Sequence, residues 1–142
     1  MALTELLHVP PEDRDLFVRW MVRVARADGI LDAAEMAVIH EIINAWSLST
    51  DRLIELHRAL REGPDLGKGA PPGFLDPRTP YLLVRMLIQL GHEDGSYDDA
   101  EREEVREVAR RYRIPAERVI ELEDWVDTYM QHRARGRTLL EP

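Results

Sequence analysis

The chain has 142 residues, no cysteine, and a formal charge of −8 from 27 acids against 19 bases. This length suits one domain that buries a sizeable core without a disulfide or thiolate–metal staple. The acidic balance repels phosphate backbones and argues against nucleic-acid partners, no stretch reaches the ~18 apolar residues of a membrane span, and MALTELLHVPPEDRD lacks a signal-peptide pattern. A soluble protein of a reducing compartment, the cytoplasm, is expected.

In chain order, the first predicted helix starts after Pro10-Pro11 and runs to Ala27. Leu16, Phe17, Trp20, Met21 and Val24 recur at i, i+1, i+4, i+5 and i+8, one face of a helix and not of a strand. Asp28-Gly29 stops it, because glycine permits the left-handed turn that ends a helix. The second helix opens at Asp32, with Glu35 three residues on in a capping-box pattern. Its inward face carries Met36, Ile39, Ile43 and Trp46. A third follows Leu48-Ser49-Thr50, with Leu53, Leu56 and Leu60 inward. Residues 63–80 hold five prolines and four glycines, which no helix interior accepts. A connector this long is functional or mobile, and Phe74 and Leu75 are candidates to pin it to the bundle. The pattern then restarts at Thr79-Pro80, stops at Asp94-Gly95, and reopens at Asp98 with Glu101. Val105, Val108 and Tyr112 face inward. The last helix carries Val119, Leu122, Val126, Tyr129 and Met130 inward, ends near Arg135, and stops at Gly136.

The restart is an internal repeat. A shift of 66 residues lays 16–56 over 82–122 without a gap, and 13 of the 41 positions are identical. The expected architecture is therefore an all-α helical bundle of two pseudo-symmetric three-helix repeats, 11–62 and 80–135, joined by the connector 63–79. The two share one core, since neither copy is long enough to bury its own stripe. The tail QHRARGR is basic, as cations at a helix C-terminus should be.

The two turns read ADGILDAAE and EDGSYDDAE, and each sets three carboxylates at the same spacing: Asp28, Asp32 and Glu35, then Asp94, Asp98 and Glu101. Residues i and i+3 at a helix start share a face, and hard divalent cations, calcium above all, take six to eight oxygen ligands. Two facing turns would supply six carboxylates. Against this, helix stops and caps account for Gly29, Gly95, Asp32, Asp98, Glu35 and Glu101 as local backbone needs. Asp28 and Asp94 escape that account, because a helix C-terminus disfavours negative charge. An EF-hand is excluded: with Gly29 or Gly95 sixth in the loop, the first and third ligands would be Val24 and Arg26, or Leu90 and His92.

The paired turns, the apolar helix running into Ala/Glu-Asp-Gly, and the aromatic followed by Leu or Ile before the third helix resemble the TerB-like domain. That family is named for the tellurite-resistance protein TerB, and a related domain stands at the N-terminus of a DnaJ-type co-chaperone. The resemblance covers about residues 13–130. It implies an all-α bundle, a divalent-cation site at Asp28, Asp32, Glu35, Asp94, Asp98 and Glu101, and a non-catalytic role in stress-linked complexes. The long connector and the polar Ser96-Tyr97, where the first copy has Ile30-Leu31, depart from the pattern.

Enzyme motifs are lacking. His40-Glu41 begins a zinc HExxH, but Asn44 closes it. There is no Gly-x-Ser-x-Gly elbow and no phosphate-binding glycine loop, nor the Glu-x-x-His of a di-metal bundle. His92 beside the second turn reads as a helix-end residue. The expected function is a non-catalytic, cation-binding interaction module, linked to tellurite or other stress, with calcium as cofactor. The alternative is a helical protein–protein adaptor, or co-chaperone-like domain, with purely structural turns. The partner would be a protein or a second copy forming a homodimer.

Overall fold

The computed structural model describes residues 3–25, 33–46, 50–51, 54–55, 58, 72–93 and 97–142. Every regular element among them is an α-helix. These are α1 (Leu3–Leu6), α2 (Pro11–Ala25), α3 (Ala33–Ala45), α4 (Thr79–Glu93), α5 (Asp99–Arg111) and α6 (Ala116–Thr138). Residues 50, 51, 54, 55 and 58 are also helical and exposed, where the third helix was expected. Its inward Leu53, Leu56 and Leu60 lie outside the described residues.

Helix α4 occupies the centre and packs on α2, α3, α5 and α6. Its buried side chains include Leu83, Val84, Leu87, Ile88 and Leu90, which point to several sides, as an interior helix requires. The predicted Phe17, Trp20, Met21, Met86, Leu87, Ile39, Ile43 and Trp46 are all buried, while Leu16 and Leu82 pack at the edge of the same core. Full burial of each such side chain contributes about 1.5–3 kcal/mol. The sequence stripe was too narrow, however. Val18, Val22, Ile42 and Ile88 are buried as well, because α2, α3 and α4 each meet more than one neighbour.

Several described positions 66 residues apart correspond in the structure. Helices α3 and α5 have 13 residues each and begin at 33 and 99. Phe17 and Leu83, Val18 and Val84, Val22 and Ile88, Ile39 and Val105 are buried at matching positions. Trp46 Nε1 donates to the Leu6 carbonyl at 2.9 Å, and Tyr112 Oη donates to the Pro72 carbonyl at 2.9 Å, each across 40 residues. Asp13 and Thr79, also equivalent, touch each other: Thr79 Oγ1 donates to Asp13 Oδ2 at 2.9 Å.

Asp13 does more. Only 3% exposed, it also accepts from the Leu75 N–H at 2.6 Å and the Asp76 N–H at 3.1 Å. The connector's end is thus held through backbone, not through the Leu75 side chain, which is 68% exposed and corrects that expectation. Phe74 does pack inward, 5.2 Å from the Tyr112 ring. Two other boundaries need correction. Helix α6 continues through Gly136 to Thr138, since an exposed glycine in a last turn costs only ~1 kcal/mol and Arg135 and Arg137 suit that helix end. The one-turn α1 was not foreseen; four residues carry no periodicity, yet Leu6 and Val9 are buried.

Candidate metal centre

Helices α2 and α4 start together at the Asp13–Thr79 contact, and their last turns meet again. There Val24, Ala25, Leu87, Leu90 and Gly91 wall a pocket of about 110 Å³. The facing wall is acidic: Glu35 from α3, then Asp98, Glu101 and Glu104 from the start of α5. Of the six predicted carboxylates, Glu35, Asp98 and Glu101 are described, and all three line this one pocket. Asp28, Asp32 and Asp94 lie outside the described residues. The sequence reading passed over Glu104, although it stands three residues beyond Glu101, on the face that spacing selects.

Each position has a local cause. Asp98 has extended backbone and caps α5, its Oδ1 accepting the Glu101 N–H at 2.8 Å. That half of the capping box is as expected. Glu35 is only 7% exposed, where a carboxylate needs polar or ionic compensation. Gly91 makes room for Glu101: a Cβ there would stand 2.5 Å from Glu101 Oε2 and 2.7 Å from Tyr97 Cδ1. Nothing in the sequence marked Gly91, which sits inside an otherwise ordinary helix.

The rim behind the second turn is tied down. Tyr97 stacks on His92 with ring centroids 5.3 Å apart, and Arg102 lies 5.1 Å from the Tyr97 ring centre. Burial pushes the Tyr97 hydroxyl well above the ordinary tyrosine range, and the neighbouring Glu123 carboxylate adds to the shift. Glu123 is in turn held by Arg102 at 3.0 Å and Arg106 at 2.9 Å. His92 is engaged with this ring and is not among the pocket's lining residues.

The donor chemistry is all carboxylate oxygen, which fits a hard cation such as calcium rather than a thiolate- or imidazole-seeking metal. Four carboxylates and the last turns of two helices, whose carbonyl ends are negative, concentrate one sign of charge in a recess. Among the described residues, though, no three acidic or histidine side chains gather closely enough to hold a metal by themselves. A larger cavity of about 340 Å³ lies at the other end of α4. Its cations are already matched: Arg85 pairs with Glu5 and lies over Trp125, and Arg78 pairs with Asp76.

No helix of the described residues is long and apolar enough to cross a membrane. Comparison with curated proteins and with solved structures finds no match. A family model does match: residues 2–58 fit that of the tellurite resistance protein TerB. This stretch takes in α1, α2, α3 and the first acidic turn, while the second turn lies beyond it. The match supports the TerB-like resemblance over residues 2–58, the stretch that holds the first acidic turn.

Proposed function

We propose that this chain is a non-catalytic, divalent-cation-binding interaction module of the TerB-like kind, made of two pseudo-symmetric three-helix repeats. The observation that carries the reading is the shared pocket, where carboxylates from both copies of the acidic turn meet. Each turn alone supplies too few oxygens for calcium; together the six predicted residues and Glu104 reach its usual ligand number. The matched offsets, from Leu6/Pro72 to Ile39/Val105, support the repeat. The family name supports a link to tellurite or other stress. Acidic, cysteine-free composition supports a cytoplasmic protein that binds other proteins and not nucleic acid. The absence of catalytic motifs from the sequence supports a non-enzymatic role.

Calcium titration tests the reading. A ligand bound only by the folded state raises its melting temperature by mass action, and an affinity on the order of 10⁻⁴ to 10⁻³ M is expected of an open site. Asp98→Asn keeps a capping oxygen of similar strength, so the apo protein should melt as wild type while the calcium response weakens. One observation favours the rival adaptor reading: Asp98 is already used as a cap. On that reading wild type and Asp98→Asn melt alike with and without calcium, and the cation site is refuted.

A further inference from the structure

Helix α6 is longer than the bundle it belongs to. Its 23 residues span about 34 Å, against about 20 Å for α5 with 13. From residue 131 onward only Arg133 is even partly buried, and the two residues that follow the helix, Leu139 and Leu140, are 71% and 85% exposed. A helix end exposed all round gains nothing from packing and is marginal by itself.

Opposite the buried Val119 and Val126 runs a single outer stripe: Glu117, Glu121, Asp124, Thr128, His132 and Arg135, continued by Leu139. Steps of three and four residues keep these on one face. The stripe is acidic in its first half and basic in its second. Trp125, 46% exposed, borders the acidic half. Helix-end electrostatics explain the order of the charges. They do not explain Leu139, exposed at the far end of the same face, whereas Trp125 is already covered in part by Arg85 and Tyr129.

We propose that this face receives a second copy of the chain, α6 against α6, antiparallel about a two-fold axis at Thr128. The charge pattern selects this occupant, because turning the stripe end for end superposes acid on base. Glu121 then faces the partner's Arg135, and Asp124 faces the partner's His132. Each pairing occurs twice, as a two-fold interface requires. The contact is mainly polar: Leu139 faces the partner's Glu117, and Trp125, already held under Arg85 and against Tyr129, lies beside the partner's Gln131. The contact is a single helix pair at the small end of specific interfaces, so a dissociation constant on the order of 10–100 µM is expected.

Sedimentation equilibrium of the full chain, from micromolar to millimolar, tests the proposal with two charge-reversal variants. Both residues are exposed, so Glu121→Arg and Arg135→Glu should leave the helical circular dichroism unchanged. Each alone sets like charges opposite one another and should weaken self-association about tenfold or more. Mixed in equal amounts, the two variants regain both opposite-charge pairs and should form a heterodimer about as tight as the wild-type dimer. A wild type that stays monomeric throughout overturns the proposal, as does a dimer indifferent to both variants. Monomeric wild type that sediments with phosphatidylserine vesicles would assign the Arg- and Leu-rich tip to a lipid surface instead, and would equally overturn it.

Discussion

Trp46 and Tyr112 follow the ends of α3 and α5 at equivalent positions, and they perform one task with different chemistry. Each pins the segment ahead of its own copy's first helix. Trp46 is buried, lies edge-on to Phe17 at 5.5 Å, and gives its indole N–H to the Leu6 carbonyl. Tyr112 is half-buried, and its hydroxyl serves twice. It accepts from Trp20 Nε1 at 2.8 Å and donates to the Pro72 carbonyl. The acceptors, Leu6 and Pro72, have nothing in common as side chains. A backbone carbonyl is offered by every residue, so the contact survives where the residue types do not.

The largest effect should come from breaking the contact that joins the copies. Asp13→Ala leaves the Leu75 and Asp76 N–H groups and the Thr79 hydroxyl without their acceptor. The Thr79 hydroxyl is buried and the two N–H groups are part-buried. A buried donor so orphaned costs about 1–3 kcal/mol, so urea denaturation should show a loss of about 3 kcal/mol. A loss below about 1 kcal/mol would mean that water replaces the carboxylate and that the join is weak.

Trp46→Phe and Tyr112→Phe come next and compare the two pins directly. The first strips the Leu6 carbonyl of its donor and shrinks a buried ring. The second leaves Trp20 Nε1 and the Pro72 carbonyl unpaired. About 2 kcal/mol is expected of each, but hydrogen exchange should separate them. Trp46→Phe should speed exchange around α1, and Tyr112→Phe around residues 73–79. Uniform acceleration in either variant would show that the pins act on the whole core.

These contacts set the limit of what the sequence could tell. Helices and core were legible because a 3.6-residue period survives in the chain: Phe17, Met21, Leu83 and Leu87 mark it twice. Half of the capping box was legible because Asp98 and Glu101 are close in sequence. Asp13 was not, since an acid in a first helical turn usually signifies only a favourable dipole, and its three partners lie more than sixty residues away. The acidic pocket was half legible. The repeat implied two turns, and Glu35, Asp98 and Glu101 line one pocket, though no three described acids gather closely enough to hold a metal. Glu104 and Gly91 entered only with the tertiary structure.

Gly91 sharpens the comparison at the pocket, because its equivalent is Ala25, also buried and also lining it. Gly91→Ala improves helix propensity by ~1 kcal/mol. It also drives a methyl group into the Tyr97 ring and the Glu101 carboxylate, an overpacking that costs about 1–3 kcal/mol. A net loss of about 1 kcal/mol is expected in thermal denaturation. Ala25→Gly should lose a similar amount for the opposite reason, helix propensity alone. Stabilisation by Gly91→Ala would show that the second turn can retreat, and that the two walls differ less than their residues do.

The smallest effect concerns how α5 hands over to α6. Arg113 has φ of 59°, the left-handed region where a side chain is crowded by its own backbone. The hydrogen bonds explain why it stays there. The Ile114 N–H reaches back to the Ala109 carbonyl at 2.9 Å and the Arg113 N–H to Arg110 at 3.0 Å, the paired bonds of a helix end that normally uses glycine. Ile114 is 5% exposed and packs into the core, so the chain must turn at this residue whatever stands at 113. Arg113→Gly removes the crowding, worth about 1 kcal/mol, but gives the unfolded chain more freedom. The net gain should be about 0.5 kcal/mol, read as a higher denaturation midpoint at unchanged slope. Arg113→Ala should be nearly neutral, and Arg113→Val should lose about 1 kcal/mol because a β-branched residue tolerates this region least. Should glycine destabilise the protein instead, the arginine side chain is holding the turn, and the link between α5 and α6 depends on a contact made by its guanidinium rather than on backbone conformation.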